Sequence, residues 1–515
     1  MARNEKSARR SGAPRPIPGS PTTPLVACDI LYIHPAKQGV VSGADWRGGA
    51  NPYPFIPVGI VGLANLLLSQ GLTLRGLNHP IELLLDERFD LAAWLGGFVG
   101  VRWILIDLHW YEHAFGALDV ARLGKRCHPE ARVVLGGLTA TAFAAEILTQ
   151  EPAIDLIVRG DAEWPLMELV TAPPDELDAA LPDIENLTYR RGAAIVSNPL
   201  TYCAGARELD TLNFADIAFL EHADAYARRQ FSGLAPLTGH WLCIGRGCHH
   251  ACSYCGGGRD AQRELAGRER VIVRSVPSVL RDIERLHRRG VHQVALNLDV
   301  SERGEAYWRA LFEGLRARGL RIGLYNEFSA LPPDGFIDEM AATIDPRASR
   351  MAFSPLSGSE AVRRRNGKHF TNAGLLATLE QLAGYGLLSM VYFSLNLPGE
   401  PTEGFDETIA LARRILETVP PSMVDLLNMC HTLDPLSPMS TQPDAYGVRT
   451  SLHAFRDYYD YCRRTARGAE AARRGISRGF WPGGADREVL GRMADRWDRE
   501  GAPHAPSWHP IPRTW

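Results

Sequence analysis

No stretch of eighteen or more uninterrupted apolar residues occurs in the 515-residue chain, so nothing in it reads as a membrane span. The start, MARNEKSARR, is basic but lacks the apolar run of a secretory signal, and a cytoplasmic protein is the default expectation. A formal net charge of -3 gives no electrostatic case for a nucleic-acid partner. Lysine is scarce and nearly all basic residues are arginine, a bias of codon usage that carries no functional weight. The nine cysteines are odd in number and scattered except for one group. They do not form the paired framework of a small disulfide-held domain.

What is present is a globular composition, 45% hydrophobic and 22% charged, on a chain long enough for two or three domains. Residues 1–24 are rich in Pro, Ser, Gly and Arg and are expected to be disordered. Residues 25–170 alternate short apolar runs with amphipathic segments. DILYIHP, RWILIDLHW, RVVLGG and DLIVRG read as strands, with a weaker one in LTLRGLN. VGIVGLANLLLSQG, ALDVARLGKRC and TAFAAEILTQ read as helices. That alternation predicts an α/β, doubly wound, Rossmann-like parallel sheet. Residues 171–235 read as a linker with a hairpin-like segment. Residues 236–440 hold six further strand–helix units and predict a partial (β/α)6 barrel. Residues 441–515 predict a small helical cap. Its aromatics Phe455, Tyr458, Tyr459 and Trp481 suit a planar small molecule, although such spacing more often marks core.

Three of the cysteines fall within eight residues, as Cys248-His-His-Ala-Cys252-Ser-Tyr-Cys255, directly after a predicted strand. Soft thiolates favour an iron–sulfur cluster or zinc over hard cations. Three thiolates on a cubane leave one iron open to a chelating ligand. Zinc would need a fourth ligand, for which Cys243, His249 and His250 are the nearby choices.

The C-x3-C-x-aromatic-C loop, with Tyr254 as the aromatic, resembles the signature of the radical S-adenosylmethionine (SAM) superfamily over about residues 238–440. The resemblance implies a [4Fe–4S] cluster on Cys248, Cys252 and Cys255, with SAM near Tyr254, Gly256 and Gly257. It places the methionyl-binding stretch on Asn297-Leu-Asp299, where the family more usually has Gly-Gly-Glu. Glu327, Ser354 and Ser357 become candidates for SAM contacts, although each is as well suited to capping a helix. Ser354-Pro-Leu356-Ser357-Gly358 lacks the Glu of the common S-x-E-S-G pattern, and LPGE at 397–400 is similar to the fifth-strand motif.

A doubly wound domain ahead of such a barrel resembles the cobalamin-binding domain of the B12-dependent subclass. The matching residues are Pro57 and Gly59 opening the first helix, then Gly136, Gly137 and Thr139, then Gly160 and Glu163. Ligands of open α/β sheets lie beyond the carboxyl ends of the strands, which suits these turns. A flavodoxin- or receiver-like domain without B12 is the bland alternative. Asp107-Leu-His109 is similar to the D-x-H-x-x-G loop of B12 mutases, but Glu112 stands where Gly is expected. His109 and Trp110 are therefore expected to line the lower cobalt face without a cobalt–nitrogen bond.

With both cofactors, the resemblance implies a C-methyltransferase acting on an unactivated carbon of a small molecule, in natural-product or antibiotic biosynthesis. It also implies an external flavodoxin- or ferredoxin-like one-electron reductant, and neither nucleic acid nor membrane as partner. A cyclase or ring-rearranging enzyme with the same cofactors is the alternative, and a non-catalytic sensor is the alternative of another class. Methylthiolation of tRNA would need a second cysteine triplet, and only Cys28 and Cys127 precede the linker.

Overall fold

A computed structural model describes residues 25–40, 53–232, 237–466 and 479–501. The tail at 1–24, expected to be disordered, lies outside the described residues. Among the described residues no helix is long and apolar enough to cross a membrane.

The first sheet is built from β1 (Ile30–His34), β2 (Leu74–Asn78), β3 (Trp103–Asp107), β4 (Arg132–Gly136) and β5 (Leu156–Val158), all parallel. Their order, β2-β1-β3-β4-β5, reverses direction between β1 and β3, the switch point of a flavodoxin-like sheet. Every side chain of β1 is buried, as a strand covered on both faces requires. Two of the covering helices are α1 (Val58–Ser69) and α2 (Ala114–Cys127). Pro57 stands at the N-cap of α1, where its missing N–H costs little. TAFAAEILTQ is two short helices broken at Phe143 rather than one.

Residues 171–235 are more than a linker. β6 (Leu187–Arg191) and β7 (Ala194–Ser197) form a hairpin that extends the first sheet antiparallel to β5. Gly192, at φ +61°, makes the turn. The alternating pattern of that hairpin fits a sheet edge with one solvated face, which is why it pairs instead of crossing between domains.

The second sheet runs β8 (Gly239–Leu242), β9 (Gln293–Leu296), β10 (Gly323–Phe328), β11 (Arg350–Leu356), β12 (Leu388–Ser394) and β13 (Val424–Met429), parallel and in chain order. β8 and β13 are its edges, so the barrel is partial. The helix Val276–Arg288 shows how the outer layer forms. Pro277 sits in its first turn, Val279, Leu280, Ile283 and Leu286 are buried, and Gly290 (φ +77°) follows its end.

The expected cap divides between the two sheets. The helix Phe455–Thr465 buries Phe455, Tyr458 and Tyr459 against Tyr111, Phe115 and Phe143 of the first domain. Arg487–Arg496 carries Leu490 and Met493 into the core outside the barrel, and Trp481 packs on that same core. The aromatics considered for a substrate pocket are therefore core. A run such as FRDYYDYC amid polar residues is how a surface helix seats itself on a neighbour.

One buried acid in the barrel has a consequence for stability. Glu400 is fully buried, accepts the Thr408 hydroxyl at 2.6 Å, and burial raises its pKa to about 7. The folded protein therefore holds a proton that the unfolded chain releases near its ordinary pKa of about 4.3. Stability from this group is present in acid and is lost as pH rises from about 4.3 to about 7, by about 4 kcal/mol in all. Glu400→Gln should flatten that decline, measured as denaturation midpoints at acidic and slightly alkaline pH. An unchanged slope would remove Glu400 as its source.

Candidate active site

The chain leaves β8 through Cys243 and pairs Gly245–Arg246 antiparallel with Ile272–Val273. The cysteine loop lies between those two short strands. Cys248, Cys252 and Cys255 all line one cavity of about 1520 Å³ that runs between the first sheet and the barrel. The His250 and Gly257 amides point at Cys248 Sγ and Cys255 Sγ, each at 3.4 Å. Ser253 donates to Asn366 through its amide at 3.4 Å and its hydroxyl at 2.6 Å, pinning the middle of the loop. Gly367 has φ +87°, and a Cβ there would stand 2.8 Å from Cys252 Cα. Both the conformation and the close approach call for glycine.

The three sulfurs stand too far apart to share one zinc ion. With Zn–S near 2.3 Å, a tetrahedral site would bring thiolates to within about 3.8 Å of one another. Among the described residues the three thiols do not gather within even 4.8 Å. Of the other zinc ligands considered, His249 and His250 gather with Glu302 in a separate group that could itself hold a metal ion, and Cys243 is turned to the backbone. His250 Nε2 lies 2.9 Å from Glu302 Oε1, His249 Nε2 lies 3.6 Å from it, and Cys243 Sγ donates to Gly245 O at 3.5 Å. Burial, with Asp434 adding to it, pushes the Cys255 thiol up to about 12, so metal binding has to displace a proton there.

Of the residues expected around SAM, Tyr254, Gly257, Asp299, Glu327 and Ser354 line the cavity, and Gly256 and Ser357 do not. Tyr254 stacks on His431, with ring centroids 4.1 Å apart. The Gly256 amide is turned to Asp434 Oδ2 at 3.3 Å. Ser357 is 1% exposed and its hydroxyl accepts from the Ser359 amide at 3.0 Å, so it holds its own turn. Asp299 faces the cavity with a carboxylate already occupied. It accepts from Ser301 N and Oγ, Asn326 Nδ2 and Ser329 N at 2.7–3.2 Å. Asn297 likewise bridges the Ile244 amide and the Gly245 carbonyl at 2.8 and 2.9 Å. Asn297 thereby braces the segment that enters the cysteine loop, and Asp299 braces the turn after β9. Leu356, standing where the commoner motif has Glu, is buried with φ +68° at a bulge in β11.

On the other wall, Pro57, Gly59, His109, Trp110, Gly136, Gly137, Gly160 and Glu163 line the same cavity. Thr139 does not. It is 2% exposed and its hydroxyl donates to the His109 carbonyl at 2.9 Å. Gly137 has φ +110°, and a Cβ there would meet the His109 backbone at 2.8 Å, so the loops after β3 and β4 close on each other only because it is glycine. Asp107, which would orient His109 in a D-x-H dyad, accepts instead from Tyr32 at 2.7 Å and pairs with His34 at 3.0 Å. Burial lowers the His109 pKa to about 4, so its imidazole is neutral. The cavity continues as an apolar slot between Leu105, Val134 and Val158 of the sheet and Ala64, Leu67 and Leu166 of the helices above it.

Glu163 is not free for a ligand. Arg246, two residues before Cys248, donates to both its carboxylate oxygens, one at 3.1 Å, and reaches Asp161 at 2.9 Å. Arg268 completes the network on Asp161. Burial works against the Arg246 charge, but Glu163 and Asp161 outweigh it and hold its pKa well above the ordinary value. Sequence reasoning also missed Trp241, Tyr325, Arg350 and Tyr392, which line the cavity from inside the barrel. The available signal was their alternate placement on predicted strands.

Residues 242–412 match the radical SAM superfamily, so the chain carries a radical SAM domain, and such a domain implies a [4Fe–4S] cluster and SAM. Over most of its length the chain shares the fold of TsrM from Kitasatospora setae, a radical SAM methyltransferase solved with tryptophan substrate and aza-SAM. The two are 15% identical at a TM-score of 0.62, over 94% of this chain and 91% of that one. OxsB, a cobalamin-dependent SAM radical enzyme solved with aqua-cobalamin and SAM, aligns at a TM-score of 0.58 and 12% identity, over 92% of this chain and 67% of that one. A curated relative, the anaerobic magnesium-protoporphyrin IX monomethyl ester cyclase of Synechocystis sp., is 28% identical over 203 residues, 39% of this chain. The match spans only 37% of that relative's length.

Proposed function

We propose that the protein is a cobalamin-dependent radical SAM C-methyltransferase acting on an unactivated carbon of a small molecule. The observation that carries the reading is the single cavity joining the cysteine loop to the glycine turns and apolar slot of the first sheet. Cys248, Cys252 and Cys255 would hold the cluster, Tyr254 and Gly257 would border SAM, and Pro57, Gly59, Gly136, Gly137 and Gly160 would border cobalamin. The slot beside Val134 and Leu67 would take a planar, apolar part of the cobalamin, and His109 with Trp110 would border the same group. When bound, the cluster with SAM supplies hydrogen-atom abstraction and the cobalamin supplies the methyl group. The chain's own contribution is alignment. Its apolar walls exclude water, and the Arg246–Glu163 contact fixes one cofactor wall against the other.

The Synechocystis relative favours one second reading, a cyclase that uses the same cofactors without methyl transfer. Stoichiometry separates them. In anaerobic turnover with methyl-deuterated SAM, a methyltransferase should yield product retaining every deuterium of that methyl group. Each product should accompany one S-adenosylhomocysteine and one 5′-deoxyadenosine. Deoxyadenosine with unlabelled product, and no matching S-adenosylhomocysteine, would move the protein to the cyclase class.

A further inference from the structure

The barrel lumen below the cysteine loop carries groups that neither the cluster nor the glycine turns use. By strand register, Trp241, Ala295, Tyr325 and Arg350 form one inward tier. Glu327, Ala352, Met390 and Asp425 form the next. A filled parallel barrel carries bulky branched residues at such positions. Here two are alanines, and Trp241, Tyr325, Met390 and Tyr392 cluster around the space they leave. Tyr325 donates to Glu327 at 2.7 Å, which fixes that phenol against the wall.

Two groups in this lumen lack the partners their chemistry calls for. The Arg350 guanidinium donates to the Ser349 carbonyl at 2.7 Å; the Asp425 carboxylate acts on its charge from within the lumen, but no close ion pair to it forms among the described residues. Gln230 is 3% exposed, and its Oε1 accepts the Trp241 amide at 2.9 Å. Its Nε2 is buried without a partner, and the residue lines the same cavity. A buried donor left unmade is costly, and a ligand acceptor removes the cost. Asp425 and Glu327, in the tier beside Arg350, disfavour a ligand with more than one negative charge.

We propose that the lumen binds the substrate as a planar, largely apolar molecule bearing one carboxylate, anchored by Arg350. Trp241, Tyr325, Met390 and Tyr392 hold its body, and Gln230 offers a further donor. A guanidinium grips a carboxylate through two parallel N–H bonds, which fixes direction as well as position. The body of the molecule then extends up the lumen toward the cysteine loop. This assignment rests on the functional reading above, because it supposes that the reacting carbon faces SAM.

The test uses full-length protein reconstituted with iron, sulfide and cobalamin, and two probes, indole-3-propionate and its neutral amide. Equilibrium dialysis should show the acid bound about tenfold or more tighter than the amide, the scale of one charge-assisted pair. Arg350→Gln should abolish the preference, and Arg350→Lys should restore part of it. Equal affinities in the unaltered protein, failure of both probes to bind, or a preference that survives Arg350→Gln would overturn the assignment. Metal and cobalamin contents are measured on the same samples. Protein that takes up neither overturns the functional reading, whereas equal affinities overturn only the lumen anchor.

Discussion

Anaerobically reconstituted Cys252→Ala should be colourless, while the unaltered chain binds about four irons and is brown. The reason lies in the loop's construction. Cys252 is only 8% exposed, its neighbour Ser253 is tied to Asn366, and Gly367 lies against its Cα. Cys243, buried just after β8, is turned to the Gly245 carbonyl, and Cys203 lies beside Asp161 and Arg268, so neither of these thiols is placed to replace it. Cys203→Ala should therefore keep its iron. Iron analysis with visible absorption reads both outcomes. Stoichiometric zinc without iron in the unaltered protein would sink the cluster assignment itself.

The cysteine loop was legible in the sequence because its ligands are local and their spacing alone restricts the chemistry. Most strands were legible for a related reason. DILYIHP and RWILIDLHW are short, apolar and bounded, and burial on both faces leaves little else for them to be. Residues whose meaning depends on a partner far along the chain were not legible. Glu163 follows a strand in a glycine-bearing turn and reads as a cofactor contact, yet its carboxylate is taken by Arg246, 83 residues away. Asp299 reads as a ligand for SAM; it does line the cavity, and its carboxylate also accepts from Ser301, Asn326 and Ser329, which no sequence pattern shows. Ser357 likewise reads as a contact and instead holds a turn. The lumen was hidden for a further reason. Trp241, Tyr325, Arg350 and Tyr392 come from four strands, and only the barrel's register brings them together.

Arg246→Met should destabilise the protein by on the order of 3–5 kcal/mol, the usual cost of removing one partner from a buried ion pair. The mutation leaves Glu163, 3% exposed, without its counter-ion, and leaves Asp161 with Arg268 alone. The effect reaches beyond stability, because Arg246 stands two residues before Cys248 while Asp161 and Glu163 follow a glycine turn of the first sheet. A loosened contact should therefore lower iron and cobalamin retention together, and a purely local defect would lower only one. Glu163→Gln on the same background should recover part of the loss, since it removes the stranded charge. A coupling of about 0.5–3 kcal/mol is expected in that double-mutant cycle. The pH dependence carries a sign. Burial alone would raise the Asp161 pKa, but Arg246 and Arg268 outweigh it and the group ends below its ordinary value. Its contribution is therefore present above about pH 4 and is lost as pH falls through the lowered value. Arg246→Met should weaken that acid dependence. Denaturation midpoints equal to those of the unaltered protein across the acid range would show that the network does not join the two walls.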